Sequence, residues 1–212
     1  MIRLANTVRL AATTSTRLSV ANASSTYLRT MTSISEVIKR DHRELEEYYN
    51  NILKATTDDD KVRWQNQFTW ELARHSIGEE LVVYPLMEKA MTDGKARADH
   101  DRDEHNKVKV MLHEFQNLHP VDPKFESTIK TLMDSLSEHI KEEENDDLPW
   151  LEKSISKDES ATKAKEFERT KMFVPTRSHP SAPDKPPFET VVGLLAAPID
   201  KLGDMFRRFP KD

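Results

Sequence analysis

The chain has 212 residues and a formal net charge of -5, with 33% charged residues, 36% hydrophobic residues and only four glycines. This balance is typical of amphipathic helices with solvated outer faces, and it predicts an all-α fold. Because the sequence has no cysteine, disulfides and thiolate chemistry are excluded and any metal ligands must be His, Asp or Glu. The acidic balance and the lack of a basic stripe predict that the chain binds no nucleic acid.

The N-terminal segment has the composition of an organellar targeting sequence. No Asp or Glu occurs between Met1 and Ser35, although the whole chain has 37 of them, and arginines recur there among Ser, Thr and Ala. Mitochondrial transit peptides are rich in Arg and Ser and poor in acids. Residues 1–32 are therefore predicted to be a transit peptide, which implies a mitochondrial protein. A disordered basic tail on a cytoplasmic protein is the alternative.

Four long helices are predicted over residues 33–153. Ser33 and Glu36 have the spacing of a capping box at the start of the first helix, and Gly94 and Pro123 precede the third and fourth. Each helix carries apolar residues at three- and four-residue steps, which predicts an inward-facing stripe. The four stripes predict an antiparallel up-down four-helix bundle.

Histidine or glutamate replaces an apolar residue on each of these stripes. The positions are His42 on the first helix, His75 and Glu79 on the second, His105 on the third, and His139 and Glu143 on the fourth. The second and fourth helices share the pattern H-x-x-x-E-E-x-x-x-x-P, and the whole arrangement repeats after 63 to 64 residues. The repeat predicts two helical hairpins that contribute three ligands each.

The spacing of these residues indicates a metal site. A His and a Glu four residues apart lie on one helix face, so four imidazoles and two carboxylates are expected in one layer of an apolar core. Unpaired buried carboxylates are costly, and no Lys or Arg lies on the stripes. Two divalent cations would neutralise the layer, with the carboxylates able to bridge them. Such ligands suit iron, zinc and manganese alike.

This pattern resembles that of the hemerythrin-like, or HHE cation-binding, domains, and the resemblance extends from about Ser33 to Lys153. It implies an antiparallel four-helix bundle that holds two iron ions. It also implies that His42, His75, His105 and His139 are terminal ligands, while Glu79 and Glu143 bridge the irons.

One position departs from the oxygen-carrying members of that family, which have a fifth histidine where this chain has Asp101. Reversible oxygen carriage is therefore not expected. Open positions on both irons favour a protein that binds O2, peroxide or NO. This expectation includes redox turnover, as a peroxidase-like or iron-oxidising activity. Two alternatives stay open: an iron-responsive module that signals metal status to a protein or membrane partner, and a helical membrane-surface or scaffold protein with no metal function.

Several residues beside the stripes have two interpretations. Glu80 and Glu144 either hydrogen-bond a ligating imidazole or lie in solvent. Asp101 is expected to be solvated rather than an extra ligand, and Pro85 and Pro149 are expected to kink or end their helices. The remaining histidines, His100, His113, His119 and His179, are expected at the surface.

A C-terminal extension with one or two extra helices is predicted to follow the bundle. Residues 154–187 are expected to hold a short helix from Ser160 to Met172 and an extended Pro-rich linker. Residues 188–212 are expected to form an amphipathic helix interrupted by Pro198. Its apolar line, within residues 188–209, is expected to contact the bundle, a partner protein or a membrane surface.

Overall fold

The computed structural model describes residues 32–180 and 188–211. Within these ranges there is no strand, and the helices are α1 Ile34–Lys54, α2 Asp58–Gly78, α3 Tyr84–Ala90, α4 Gly94–Phe115, α5 Phe125–Glu142, α6 Leu148–Ser154, α7 Lys157–Lys171 and α8 Phe188–Asp204. Two π-helical segments, Glu79–Val83 and Glu143–Asp147, join α2 to α3 and α5 to α6. The all-α prediction is confirmed. The predicted transit peptide, apart from Thr32, lies outside the described residues.

The helix ends follow local signals in the sequence. The Ser33 hydroxyl accepts a hydrogen bond from the Glu36 N–H, and the Glu36 carboxylate accepts one from the Ser33 N–H, so the predicted capping box begins α1. Gly94 begins α4 at a point where no side chain fits, because an added Cβ would lie 1.9 Å from the Met87 carbonyl oxygen. These signals fix where two of the long helices begin.

Four rods make up the helical bundle: α1, α2 continued by α3, α4, and α5 continued by α6. Rods that follow one another in the chain pack together, and α1 also contacts α5 and α6. The connections are short, so the end of each rod lies beside the start of the next.

The apolar stripes of the rods form two hydrophobic clusters with a polar layer between them. Ile38 and Tyr84 belong to one cluster, and Leu45 and Leu72 belong to the other. His42 lies between Ile38 and Leu45 on α1, and the other rods are interrupted in the same way. Because burial of apolar side chains on both sides holds the rods together, the interrupted positions are brought to one level of the bundle.

The two π-helical segments each begin at a glutamate of the duplicated motif, Glu79 or Glu143. Each segment precedes a helix with proline in its first turn, Pro85 or Pro149, and proline lacks the N–H that a regular helical hydrogen bond needs. The rods continue past the prolines, so the expected break takes the form of a widened turn. Two consecutive acids, Glu79 and Glu80, are both buried at this turn.

Helix α7 packs outside the four rods, against α1 and α2. Phe167 is buried there, and Gly78 makes room for it, since an added Cβ at Gly78 would lie 2.8 Å from Phe167 Cε2. Lys171, at the end of α7, is also buried and forms ion pairs with Asp41 of α1 and Glu71 of α2. Helix α7 is therefore joined to the bundle by both apolar and ionic contacts.

The chain after α7 lies along the end of α4. The Ser178 hydroxyl donates a hydrogen bond to the Lys109 carbonyl oxygen at 2.6 Å. Asp200 of α8 accepts a hydrogen bond from the Thr176 N–H at 3.2 Å.

Among the described helices, none combines the length and apolar character that crossing a bilayer requires. Three prolines of the predicted linker, Pro183, Pro186 and Pro187, lie outside the described residues.

Candidate metal centre

The six predicted ligand residues meet in the polar layer, and all six side chains are buried. They are His42 from α1, His75 from α2, Glu79 and Glu143 from the π-helical segments, His105 from α4 and His139 from α5. The rings of His42 and His75 pack edge to face with centroids 4.9 Å apart, and those of His105 and His139 do so at 4.8 Å. Each hairpin therefore contributes one pair of imidazoles and one glutamate.

The two glutamates lie between the imidazole pairs. Glu79 Oε1 is 3.2 Å from His75 Nε2, and Glu79 Oε2 is 3.4 Å from His105 Nε2 in the other hairpin. Glu143 Oε2 is 3.2 Å from His42 Nε2. One carboxylate thus faces imidazoles of both hairpins.

Metal ions fit the donor set of this layer. No described residue forms a hydrogen bond with either carboxylate oxygen of Glu79 or Glu143, or with His42 Nε2, although all these atoms are buried. Unpaired buried polar atoms are strongly unfavourable, and the cost is greatest for charged groups. Coordination of two divalent cations would satisfy these atoms, since imidazole nitrogen and carboxylate oxygen are ligands of iron, zinc and manganese.

Burial shifts the pKa values of the groups in this layer. Burial, followed by the neighbouring Glu143 carboxylate, raises the pKa of Glu79 well above its ordinary value. Although burial acts in the opposite direction, the imidazoles around Glu143, His42 first, lower its pKa to about 2. Burial lowers the pKa of His75, and lowers that of His105 to about 4. These two imidazoles are therefore neutral near pH 7, the form that binds a metal.

Each imidazole also faces a carboxylate through its Nδ1 atom. The pairs are His42 with Glu144 at 2.8 Å, His75 with Asp41 at 3.3 Å, His105 with Glu80 at 3.4 Å, and His139 with Glu104 at 2.8 Å. Such carboxylates orient a ligating ring and raise the basicity of its other nitrogen. The Nε2 atoms are thereby left to face the centre.

These four acids follow the repeat of the sequence. Glu80 and Glu144 adopt the first of the two roles expected for them, because each hydrogen-bonds an imidazole of the other hairpin. Asp41 and Glu104 are not part of the predicted motif. They directly precede His42 and His105, so they are 63 residues apart like those histidines. If the repeat is extended by one residue toward the N-terminus of each hairpin, it includes both acids, so this signal could have found them.

Cations pair with three of these acids. Lys171 pairs with Asp41, Lys109 Nζ is 2.7 Å from Glu80 Oε1, and Arg43 Nη2 is 2.6 Å from Glu144 Oε1. Although burial acts in the opposite direction, the facing imidazoles and these lysines lower the pKa values of Asp41 and Glu80. Both acids are therefore ionised near pH 7 and can hold an imidazole N–H.

Asp101 is buried beside the centre, so the expectation of a solvated acid is wrong. Its four-residue spacing from His105 keeps it on the inward stripe of α4, and no described residue donates a hydrogen bond to its Oδ2. A ligand atom of Asp101, one of Glu104 and one of His139 lie within 4.8 Å of one another. Burial, followed by the charge of Asp147, raises the pKa of Asp101 to about 8.

Tyr84 is a further residue at the centre that the predicted motif does not include. Its buried hydroxyl is 3.0 Å from His105 Nε2. Burial, followed by the charge of Glu79, raises its pKa well above the ordinary value, so the phenol stays protonated. The second copy of the motif has Leu148 at this position. The repeat therefore carries no signal for Tyr84, and the two halves of the centre differ.

Residues 33–151 match the Hemerythrin HHE cation binding domain. The chain is also 56% identical over 181 residues to an uncharacterized hemerythrin-like protein of Schizosaccharomyces pombe, a match that covers 85% of this chain and 89% of that protein. The chain belongs to the hemerythrin HHE cation-binding family. The resemblance predicted from the duplicated motif is thus confirmed, and membership of the HHE family implies bound metal ions.

Two more distant proteins are also similar to this chain. The crystal structure of a hemerythrin HHE cation binding domain-containing protein from Mycobacterium kansasii matches with a TM-score of 0.57 at 20% identity, covering 66% of this chain and 85% of that chain. This match shows a common helical-bundle fold. A DNA nickase of Nostoc is 24% identical over 146 residues, which cover 68% of this chain and 41% of that protein.

Proposed function

We propose that this HHE domain holds two iron ions in its polar layer and that the iron centre binds O2, peroxide or NO. The proposed ligands are His42, His75, Glu79, His105, His139 and Glu143. The observation that supports this proposal is the set of buried carboxylate oxygens on Glu79 and Glu143 that no described residue satisfies, surrounded by four imidazoles. Iron is proposed over zinc or manganese from the resemblance to hemerythrins, because the ligands suit all three metals.

The proposed ligand set leaves room for a small molecule. Four imidazoles and two shared carboxylates would not fill the coordination positions of two iron ions held there. Bound iron supplies redox chemistry, so the proposal includes peroxidase-like or iron-oxidising turnover. Reversible oxygen carriage is not proposed, because Asp101 replaces the fifth histidine of the oxygen carriers.

The chain's own side chains set the conditions at this centre. Hydrophobic clusters on both sides of the layer exclude bulk water, which strengthens electrostatic interactions inside it. The four acids behind the imidazoles fix the orientation of the rings. The protonated Tyr84 hydroxyl, beside His105, offers a hydrogen-bond donor to a molecule bound at this half of the centre.

Anaerobic titration of the metal-free chain with Fe(II) tests the proposal. We expect two irons per chain and new visible absorption bands when NO or peroxide is added. The His75→Ala variant removes one proposed ligand and is expected to bind less iron with weaker bands, whereas His119→Ala, at an exposed histidine, is a matched control that should behave like the unsubstituted chain. Failure of the unsubstituted chain to bind iron, or equal bands in the His75→Ala variant, would contradict the proposal.

The end of α8 supports a second candidate function, an iron-responsive module that signals metal status to a protein or membrane partner through residues 188–209. Ile199, Leu202, Met205 and Phe206 are each at least 60% exposed. Large apolar side chains that lie close together and exposed are typical of interaction surfaces. Their exposure is the observation that favours this candidate.

Hydrogen exchange with and without iron distinguishes the second candidate from the first. A module that signals metal status requires iron to change the partner-binding segment, so we expect iron to alter amide exchange in residues 196–209 as well as in the bundle. Slower exchange confined to the rods of the bundle, with α8 unchanged, would contradict signalling and leave the first proposal intact.

A further inference from the structure

Three groups of metal-ligand side chains lie in series between the surface and the centre. The exposed group is His100, Glu104 and Glu142, the intermediate group is Asp101, Glu104 and His139, and the central group is Glu79, His105 and His139. Within each group the ligand atoms lie within 4.8 Å of one another. Glu104 belongs to the first two groups and His139 to the last two, so the groups are continuous.

We propose that these groups form the uptake route by which a divalent cation, ferrous iron above all, reaches the buried centre. His100, Glu104 and Glu142 form the capture site at the surface, and Asp101 is the inner ligand of the route. The inference rests on the proposed metal centre and adds the path by which that centre is filled.

Burial increases steadily along this route. The side chains of His100 and Glu142 are 53% and 51% exposed, that of Glu104 is 22% exposed, and that of His139 is 3% exposed. His100 Nε2 is 3.5 Å from Glu142 Oε1 and 3.7 Å from Glu104 Oε1. The other oxygen of Glu104 is 2.8 Å from His139 Nδ1. Glu104 thus faces the surface group with one oxygen and the buried group with the other.

A cavity of about 360 Å3 opens at the same place. Its lining includes His100 and Glu142 at the surface and Asp101 at depth. Asp101 is only 2% exposed, and its Oδ2 has no hydrogen-bond donor among the described residues. A buried carboxyl oxygen without a hydrogen-bond donor, lining a cavity with an imidazole and a carboxylate at its mouth, is suited to bind a passing cation in place of its proton.

The charges at the cavity favour cations. Arg97 also lines it, but this guanidinium is paired with Asp93 at 2.7 Å and with Asp147 at 2.8 Å. Glu142 therefore remains as a negative charge in the lining, and Glu104 lies next to it in the surface group. Clefts lined by one sign of charge raise the local concentration and the association rate of the opposite ion.

The acid cluster beside the other half of the centre differs in this respect. Asp41, Glu44 and Glu71 also have ligand atoms within 4.8 Å of one another, but Lys171 forms ion pairs with Asp41 and Glu71 there. Phe167 of α7 packs against His75, with ring centroids 6.0 Å apart. That side of the centre is covered by α7, and its acids are already paired with the Lys171 ammonium group. The route is therefore assigned to the α4 and α5 side.

Rapid-mixing experiments on the full metal-free chain measure the rate of metal uptake. The metal is Co(II), whose visible absorption reports its binding, or Fe(II) under anaerobic conditions. The double variant His100→Ala/Glu142→Gln changes exposed residues outside the proposed ligand set. We expect its uptake to be about tenfold slower and less dependent on salt, with the same final number of metals. The single variant Asp101→Asn is expected to slow uptake as well. His119→Ala/Asp134→Asn, which alters an exposed histidine and an exposed acidic residue elsewhere, is the control and should load at the unsubstituted rate.

Circular dichroism of each metal-free variant verifies that it is folded. If the His100→Ala/Glu142→Gln and Asp101→Asn variants load at the rate of the control, the uptake route is wrong while the metal centre stands. If His100→Ala/Glu142→Gln reduces the final metal content without changing the rate, the surface group is a storage site and the route is wrong. If the unsubstituted chain takes up no metal, the proposed function fails, and the inference fails with it.

Discussion

The carboxylate behind each imidazole is the residue-scale feature that prepares the centre for metal. Glu144 shows how: its Oε1 is 2.8 Å from His42 Nδ1 and 2.6 Å from Arg43 Nη2. A guanidinium holds the acid, the acid holds the ring, and the ring directs Nε2 toward Glu143. Each contact restricts the next, so the imidazole need not reorganise when a cation binds.

Replacing Glu144 by Gln tests this role. The amide has almost the same shape but no charge, so it holds the His42 N–H less strongly, and we expect metal affinity to fall about 10- to 100-fold. Competition with a chromophoric chelator measures the affinity. Glu138→Gln, at an exposed position in α5, is the control. Equal affinities for the two variants would show that Glu144 does not support the centre.

Asp101 leads to a prediction about pH in the metal-free chain. Its pKa is about 8 in the folded state, above the ordinary value of 3.8. Between these pH values the folded chain holds more protons at this group than the unfolded chain does, so stability falls as pH rises through the window. The contribution is at most about 1.4 kcal/mol per pH unit.

Urea denaturation of the metal-free chain and of Asp101→Asn across this window measures the effect. Asn does not titrate, so the variant should lack this loss of stability. The free energy of unfolding of the variant, minus that of the unsubstituted chain, should therefore increase as pH rises from about 5 to about 8. Parallel pH profiles for the two proteins would mean that Asp101 is ionised in the folded state.

The spacing of residues along single helices predicts the inward positions but not their partners. His75 and Glu79 share a helix face for a local reason, the one-turn spacing, and this is readable in the sequence. The contact of Asp41 with His75 joins two helices, and it depends on how far each rotates about its axis when the stripes pack. The sequence does not indicate Tyr84 for the same reason, because its contact with His105 also joins two helices.

At the scale of elements, the π-helical segments are a response to the motif itself. The motif ends in a proline six residues after its first glutamate, as in Glu79 and Pro85. The sequence indicates a break there, because proline removes a helical hydrogen bond. It does not indicate whether the helix ends, kinks or widens, since the packing of the flanking helices decides among these outcomes.

Helix α7 contributes a prediction about stability. Replacing Lys171 by Met leaves Asp41 and Glu71 without the cation that bridges them in a buried position. Loss of one partner of a buried ion pair destabilises a protein by about 3–5 kcal/mol. Urea denaturation of the metal-free chain should detect this loss, and Lys165→Met, at an exposed position of the same helix, should change stability by less than about 0.5 kcal/mol. Similar stabilities for the two variants would contradict the bridging role of Lys171.

At the scale of the whole molecule, metal binding and folding are coupled. The metal-free bundle buries carboxylates that the described residues leave without donors, so cations stabilise the folded state more than the unfolded chain. We expect iron at a hundred times its dissociation constant to raise the free energy of unfolding by about 2.7 kcal/mol for each site. Thermal unfolding with iron and with a chelator measures this gain. A gain of equal size in the His75→Ala variant would contradict the proposed site.

The wider organisation of the chain was predictable to different degrees. The helical bundle follows from four apolar stripes, each long enough to identify its helix. The anchoring of α7 was not predictable, because Phe167 and Lys171 reach partners in helices that are distant in sequence. The mitochondrial transit peptide in residues 1–32 stays a prediction. Import into isolated mitochondria of a reporter protein fused to this segment tests it.

Anomalous diffraction at the iron edge, from crystals of the iron-loaded chain, tests the central claim most directly. The account predicts two anomalous peaks about 3.5–4 Å apart, the separation typical of two-metal sites, in the layer where His42, His75, His105 and His139 surround Glu79 and Glu143. Peaks confined to the surface group of His100, Glu104 and Glu142, or no peak within the bundle, would contradict it.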